Sequence, residues 1–525
     1  MTSSATLTSA PRINNMKQSL GINANGGSRR SRVILVATFS FVACLGAFLM
    51  GFNIGFATQT TDELNSANSS AYITSGTPES SAFNALFPLG ALVGGLFAGW
   101  ASDRFGRKPA IIIGTVPQLI GWVAITVAHL WPIHRVFVSL ILVGRFFAGL
   151  GAGWNSLCIP VYITEISPVD KRGFFGSWNQ LFVTIGLLVA LCLGIPQGSF
   201  HYYYVSVVAI GITAIFMITM LFIDESPVWL LSHGRSEKGE RVLQRLRGSH
   251  VDVSKEIDEI TGNLIQPEKI SLRRSLIQLG RCSVMIPFLL SLGVMFFQQF
   301  GGINALAYYA SQELQKAKVA DYRIVSSLTV GGTEVVFTVV GVLLVERLGR
   351  KVLLIASSVG MMVSSVMLAV DLYLVRSKDS DTNGDAERYS ALAVTAFVVY
   401  NAAFSVGWGP LPWVMMSELV PTSVRGVSTG VATAFNWGSV AVITFAVTYY
   451  QQAVMPYGMW FTFGGICFIS IFFVAFLIPE TKGRSMEEIQ QTFETFSYRR
   501  YLFPSRRLSE TSPDDEPLLF DSKAT

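Results

Sequence analysis

Glu165-Ile-Ser-Pro-Val-Asp-Lys-Arg-Gly173 and Glu418-Leu-Val-Pro-Thr-Ser-Val-Arg-Gly426 are the same phrase, E-x-x-P-x-x-x-R-G, written twice 253 residues apart. Asp103-Arg-Phe-Gly-Arg-Lys108 returns as Glu346-Arg-Leu-Gly-Arg-Lys351 after 243 residues, and Glu225 returns as Glu480 after 255. Three matches at nearly one offset mean that the chain is a duplicated unit. Each motif follows a long apolar run, so the unit is a set of helices joined by short charged loops.

The runs between the motifs set the class. Of the 525 residues, 51% are hydrophobic and 14% charged, and the mean hydropathy is +0.47. Soluble domains carry about 25% charged residues, so a water-facing surface cannot be assembled here. A soluble enzyme, a nucleic-acid binder and a disordered scaffold are excluded, and the net charge of +5 implies no nucleic-acid partner. Seven stretches of 19 or more residues, such as Val33–Thr61 and Ser283–Gln312, contain no Asp, Glu, Lys or Arg. A spanning helix needs about 20 apolar residues, and helices alone satisfy every backbone group within their own segment. Two longer runs break at Ile195-Pro-Gln-Gly198 and Met455-Pro-Tyr-Gly458 and hold two spans each. The expectation is an all-α membrane protein with twelve spans near 33–57, 82–102, 109–130, 137–160, 174–195, 203–223, 284–305, 323–345, 352–374, 390–416, 426–449 and 459–478.

These spans imply an N-tail (1–32), a six-helix bundle (33–223), a helical connector (224–282), a second bundle (283–478) and a C-tail (479–525). With twelve spans both tails share one side, and that side carries 31 of the 39 Lys and Arg. The positive-inside rule then puts the tails and the connector in the cytosol. The first apolar run reads as a retained anchor rather than a cleaved leader. Parallel halves related by an axis along the membrane normal are a transporter arrangement, with the substrate held at mid-depth between them. The five Cys show no paired spacing, so neither a metal nor a disulfide framework is expected, and no cofactor. Asn68-Ser-Ser70 is a glycosylation acceptor in the first outer loop. Gly149-Leu-Gly-Ala-Gly153 lies inside a span and reads as a helix-packing stripe, not a phosphate loop.

The charged motifs sit at the cytosolic ends of spans. One reading makes Asp103, Arg104, Arg107, Glu165, Arg172, Glu225, Glu346, Arg350, Glu418, Arg425 and Glu480 helix caps and topology signals. The mirrored spacing favours a second reading, a switch in which Glu165, Arg172, Glu418 and Arg425 pair across the halves and close the cytosolic side. The connector is either a plain linker or a brace that latches the two halves. Inside the spans, charges are few and amides many: Asn53, Gln118, Gln180, Gln298, Gln299, Asn304, Asn401 and Asn436. An amide donates and accepts as a sugar hydroxyl does. Phe404, Trp408, Trp413 and Trp437 offer apolar faces, so the ligand expected is a neutral polyhydroxyl compound.

The wording of Gly144-Arg145, Pro160-Val-Tyr-Ile-Thr-Glu165, Asp224-Glu-Ser-Pro227, Gln298-Gln-Phe-Gly-Gly-Ile-Asn304, Gly407-Trp-Gly-Pro-Leu-Pro-Trp413 and Pro479-Glu-Thr-Lys-Gly483, added to the motifs above, resembles the sugar porters of the major facilitator superfamily across about residues 33–495. Within them it is similar to the facilitative hexose transporters, and the Val406-Gly-Trp-Gly-Pro410 wording to the intracellular-type hexose and trehalose carriers. The resemblance implies sugar contacts at Gln180, Gln298, Gln299, Asn304, Trp413, Asn436 and Trp437, with Phe404 covering the site, in a monomeric functional unit. It also exposes three departures. Ser405 stands where the family has a glutamate, Val228 where it has an arginine, and Glu334 where it has an asparagine that touches sugar.

Proton-coupled members of that family carry an aspartate in the first span, near the span 4 arginine. Here the pair is Asn53 and Arg145. Asn53 cannot titrate, which favours facilitated diffusion. Glu334 leaves proton symport open, because an ionisable group at membrane depth is a functional site by default. A sugar-sensing receptor on the same fold is the reading of another class, and the short C-tail gives it little room. That tail holds Asp514-Asp-Glu-Pro-Leu518-Leu519, which resembles an acidic dileucine signal for a clathrin adaptor. The location expected is the plasma or endolysosomal membrane.

Overall fold

The computed structural model describes residues 25–64, 77–131, 133–168, 171–195, 201–248, 251–264, 282–316, 319, 321–377, 383–420, 424–482, 484, 488–489 and 493. Twelve helical segments are long and apolar enough to cross a membrane, and each expected span overlaps one of them. The first half comprises α1 (Asn25–Leu64), α2 (Pro78–Phe105), α3 (Arg107–Ala128), α4 (His134–Ile166), α5 (Arg172–Leu193) and α6 (His201–Phe222). The connector forms α7 (Pro227–Ser232), α8 (Ser236–Arg247) and α9 (Ser254–Leu264). In the second half α10 (Cys282–Phe300) and α11 (Ile303–Lys316) make one broken span. Next come α12 (Tyr322–Ser326), a π-helical turn (Ser327–Gly332), α13 (Thr333–Leu348) and α14 (Arg350–Ser377). A second broken span is α15 (Asn383–Val406) with α16 (Leu411–Leu419), and α17 (Arg425–Leu477) holds the last two spans.

Local chemistry explains the breaks. Met455, beside Pro456, has φ 63 and ψ 156, so α17 turns back at the Met-Pro-Tyr-Gly signal. Gly302 has φ 109 and separates α10 from α11. The break between α15 and α16 at Gly407-Trp-Gly-Pro410 divides what the apolar pattern shows as one span, because Pro410 cannot donate to the helix before it. The glycine stripe of α4 packs as expected. A Cβ on Gly149 would lie 1.9 Å from the Phe87 carbonyl oxygen of α2, and one on Gly153 2.0 Å from that of Ala91.

The duplication is visible bond by bond at the connector end of the bundle. Gly106 (φ 110) and Gly349 (φ 92) occupy equivalent turns. Glu225 Oε1 accepts the backbone N–H of Arg107 (3.0 Å) and Lys108 (3.1 Å), and Glu480 accepts those of Arg350 and Lys351 (both 3.0 Å). Each carboxylate therefore satisfies the free N–H groups of the helix that follows the turn, where the helix dipole favours negative charge. Arg107 pairs with Glu165 (2.8 Å) and Asp103 (2.9 Å), and Arg350 with Glu418 (3.2 Å). Ser226 donates to Glu165 and Thr481 to Glu418 (2.6 Å).

Glu165 and Glu418 pair within their own halves, not across them, and at the connector end the described ion pairs all stay within one half. Arg104 and Arg172 are exposed and pair with nothing among the described residues. The physical reason lies at the opposite end. There Thr58 Oγ1 of α1 donates to the Ala307 carbonyl of α11 (2.7 Å), and Ser327 Oγ to that of Leu191 in α5 (3.3 Å). The halves are joined at that end, leaving the charged motifs of each half to their own partners. Among its described residues the connector bonds to the first half. Trp229 Nε1 donates to the Asp103 carbonyl (2.9 Å). Arg247, paired with Glu256 (2.8 Å), donates to the Ile166 (2.9 Å) and Ser167 (3.3 Å) carbonyls that end α4. These bonds bolt it to the first half. The side chains of Glu346 and Arg425, and all of Asn68, Asp514, Leu518 and Leu519, lie outside the described residues.

Burial raises the Glu225 carboxyl above its ordinary value, while the N–H groups of Ser226, Lys108 and Arg107 pull against that. A raised folded-state value means stability present below the unfolded value and lost as pH rises through the folded one. Removing the acceptor leaves N–H groups unsatisfied. Glu225→Ala and Glu480→Ala should each cost about 1–2 kcal/mol, read as a lower unfolding midpoint in detergent. The Glu225→Gln protein should lack the wild type's loss of stability as pH rises through the carboxyl's range.

Candidate functional site

Where α10 and α15 break, backbone carbonyls lose their helical donors. Inside hydrocarbon such groups must be satisfied by the protein. Gln298, on the last turn of α10, donates from Nε2 to the carbonyls of Trp408 (2.9 Å) and Gly409 (3.1 Å) at the other break. Tyr400 of α15 returns the favour, donating to the Gly301 carbonyl (2.9 Å). The two broken spans thus satisfy each other.

This repair gathers the amides. Asn436 Nδ2 of α17 donates to Gln298 Oε1 (2.7 Å), and Gln299 Nε2 donates to Asn436 Oδ1 (3.0 Å) and, at 3.4 Å, to Gln298 Oε1. Asn304, on the first turn of α11, donates to Gln299 Oε1. Gln298, Gln299 and Asn436 are buried and Asn304 is half-buried. Four of the residues selected from the sequence therefore form one connected set at the crossing of three spans. Its inner members are locked by each other. Asn304 is the more exposed edge, where carbonyl and N–H capacity remains.

The aromatic residues surround this set. Trp413 packs in a cluster with Met295, Leu292, Met416 and Ala432, and Met295 Sδ accepts from Asn436 at 3.3 Å. The Phe404 carbonyl accepts the Gly409 N–H (2.8 Å) across the break. Trp408 is fixed by a bond from its Nε1 to Ser358 Oγ (2.8 Å), which Ser470 also reaches at 2.8 Å. Trp437 crosses to the first half, where Nε1 donates to Ser156 Oγ (3.3 Å).

Gln180 and Glu334 stand apart from the amide set. Gln180 is half-buried on α5 and Glu334 is buried on the first turn of α13, directly after the π-turn. Neither forms a hydrogen bond or ion pair with a described residue. In the first half, the Arg145 guanidinium donates to the Asn53 (3.1 Å) and Phe83 (3.3 Å) carbonyls and lies 5.0 and 4.8 Å from the Phe83 and Phe87 ring centroids. The Asn53 side chain turns back to the Leu49 carbonyl (2.8 Å). Sequence reasoning did not single out Ser156, Ser358 or Tyr400. A hydroxyl in an apolar run carries no periodic signal, and only the helix breaks reveal what it satisfies.

A family profile described as "Sugar (and other) transporter" matches residues 39–493. The chain belongs to this sugar transporter family. It is 34% identical over 474 residues to the sugar transporter ERD6-like 6 of Arabidopsis thaliana, covering 88% of this chain and 92% of that one. It is 34% identical over 424 residues to the facilitated trehalose transporter Tret1 of Apis mellifera ligustica, covering 81% and 80%. Against Tret1 of Drosophila mojavensis it is 31% identical over 91% of its own length but spans 52% of that relative. Among solved structures, the proton:xylose symporter XylE bound to 6-bromo-6-deoxy-D-glucose superposes with a TM-score of 0.73 at 24% identity, covering 88% of this chain and all of that one. That likeness carries the fold.

Replacing Gln298 with leucine strips donors from the Trp408 and Gly409 carbonyls. The expected penalty is about 1–3 kcal/mol, seen as a lower unfolding midpoint. Asn304→Ala at the edge of the set should leave that midpoint nearly unchanged.

Proposed function

We propose that this sugar transporter carries a neutral monosaccharide, a hexose such as glucose, by facilitated diffusion through alternating access. The observation that carries the reading is the amide set of Gln298, Gln299, Asn304 and Asn436, built where two broken spans meet. Amides match hydroxyls in both senses, and they carry no charge to select an anion or a cation. Trp413, Trp437 and Phe404 supply apolar faces for the ring carbons. Gln180 on α5 and Glu334 on α13 would reach the sugar from outside the amide set. With both tails cytosolic, the end joined by Thr58 and Ser327 is the outer one, and the site is reached from the cytosol in this state. The ion pairs of Arg107, Glu165, Arg350 and Glu418 then exchange partners across the halves when the cytosolic side closes. Occupation of Asn68 by glycan and recognition of Asp514, Leu518 and Leu519 by a clathrin adaptor on an intracellular membrane complete the reading.

A second reading rests on one observation: Glu334 is a buried carboxyl in a membrane span with no ion pair among the described residues. If it loads and releases a proton with sugar, the carrier is a symporter. Asn53 in place of an acid beside Arg145 supports the first reading.

Proteoliposomes offered labelled glucose, fructose, galactose, xylose, inositol and trehalose, with and without an imposed pH gradient, test both. Facilitated diffusion predicts saturable uptake of at least one hexose that is flat from pH 5 to 7.5 and insensitive to uncoupler. Asn304→Ala should weaken half-saturation by about tenfold, the worth of one good hydrogen bond. Gradient-driven accumulation lost in Glu334→Gln would establish symport instead. Absence of uptake for every sugar would end both readings.

A further inference from the structure

Asn436 and Trp437 are adjacent on α17 but belong to different partners. Asn436 is held by Gln298 and Gln299 of its own half. Trp437 is 5% exposed and packs with Phe87, Ala91, Ala148 and Ala152 of the first half. Its ring meets Phe87 edge-on at 6.0 Å. Its Nε1–H donates to Ser156 Oγ (3.3 Å), and that hydroxyl spends its own proton on the Gly153 carbonyl one turn back (2.7 Å). Ser156 is thereby oriented as an acceptor.

The position of this bond is unusual. The bonds from Thr58 and Ser327 join the halves at one end of the bundle and finish on backbone carbonyls. Ser156–Trp437 joins side chain to side chain, and Ser156 lies ten residues inside the end of α4. At 1.5 Å per residue that is about 15 Å from the helix end, on the connector side of the middle of a 33-residue helix. It is also one residue from the amide set.

We propose that Ser156 is a positioning residue of the transport cycle. It accepts from Trp437 while the outer end is joined, and so ties the sugar-binding amides of the second half to the wall of the first. The bond stabilises the state described here over the state open to the outside, and it transmits displacement of Asn436 by sugar to the contact between halves. This rests on the function proposed above.

A net hydrogen bond shifts a two-state equilibrium by about two- to tenfold. A ligand's apparent affinity on one face scales with the population open to that face. Ser156→Ala should therefore lower the entry KM and raise the exit KM, increasing the exit-to-entry ratio by about two- to tenfold. The probe is the sugar most rapidly carried by the wild-type chain in sided proteoliposomes. Ser156→Thr keeps an acceptor and should keep the ratio. Trp437→Phe keeps the ring and removes the donor, and combining it with Ser156→Ala should move the ratio no further than Trp437→Phe alone. A merely structural role for Ser156 would reduce the amount of folded carrier without moving the ratio. If Ser156→Ala does not accumulate, Ser156→Cys, a weak acceptor, should move the ratio in the same direction. A saturable carrier whose ratio is unchanged by Ser156→Ala, or in which the two substitutions add, overturns this inference and leaves the proposed function intact. A wild-type chain with no saturable flux overturns the function, and this inference with it.

Discussion

The carbonyls of Gly301, Trp408 and Gly409 are released by helix breaks inside a span, at residues buried in the protein. Everything near the candidate site follows from how they are satisfied. Gln298 and Tyr400 supply the donors, and Gln298, once committed there, offers its oxygen to Asn436. Gln299 and Asn304 close the set. Unsatisfied, each carbonyl would cost about 1–3 kcal/mol. Satisfied, they leave an amide edge at the junction of α10, α11 and α17. The breaks that weaken the helices are therefore the same features that create a hydroxyl-matching surface within the spans.

A second device repeats in both halves. Glu225 and Glu480 cap the helices that follow the Gly106 and Gly349 turns, and an Arg–Glu pair sits beside each cap. The caps hold each half together as a body. Among the described residues the hydrogen bonds between halves are fewer and differently made: hydroxyl-to-carbonyl bonds at the end away from the connector and an indole-to-hydroxyl bond between Trp437 and Ser156. Bodies each held by their own polar bonds, and packed on each other mainly through apolar faces such as that of Gly438 on Leu92, suit a rocking motion, in which bonds within a half persist and those between halves exchange.

Much of this was legible in the residues. Charge-free runs of 20 residues have one physical solution in a bilayer, so the twelve spans could be read directly. The duplicated E-x-x-P-x-x-x-R-G phrase exposed the two halves. Gln298, Gln299, Asn304 and Asn436 stood out because an amide in an apolar run needs a partner. Pairing was less legible. Glu165 and Glu418 were expected to bridge the halves, yet each has an arginine of its own half within reach, and which partner is taken depends on which end is joined. The break at Gly407–Pro410 and the π-turn at Ser327–Gly332 were invisible to an apolar pattern that continues through both. Ser156 was invisible for a related reason, since its role comes from a tryptophan 281 residues away.

The central claim is one sugar site that faces either side in turn. Trans-acceleration tests it most directly. Vesicles preloaded with unlabelled substrate should take up labelled substrate faster than empty vesicles, because the loaded carrier returns faster than the empty one. Uptake that rises linearly with concentration and ignores the internal sugar would mean an open pore, and would contradict a site shared between two rocking halves.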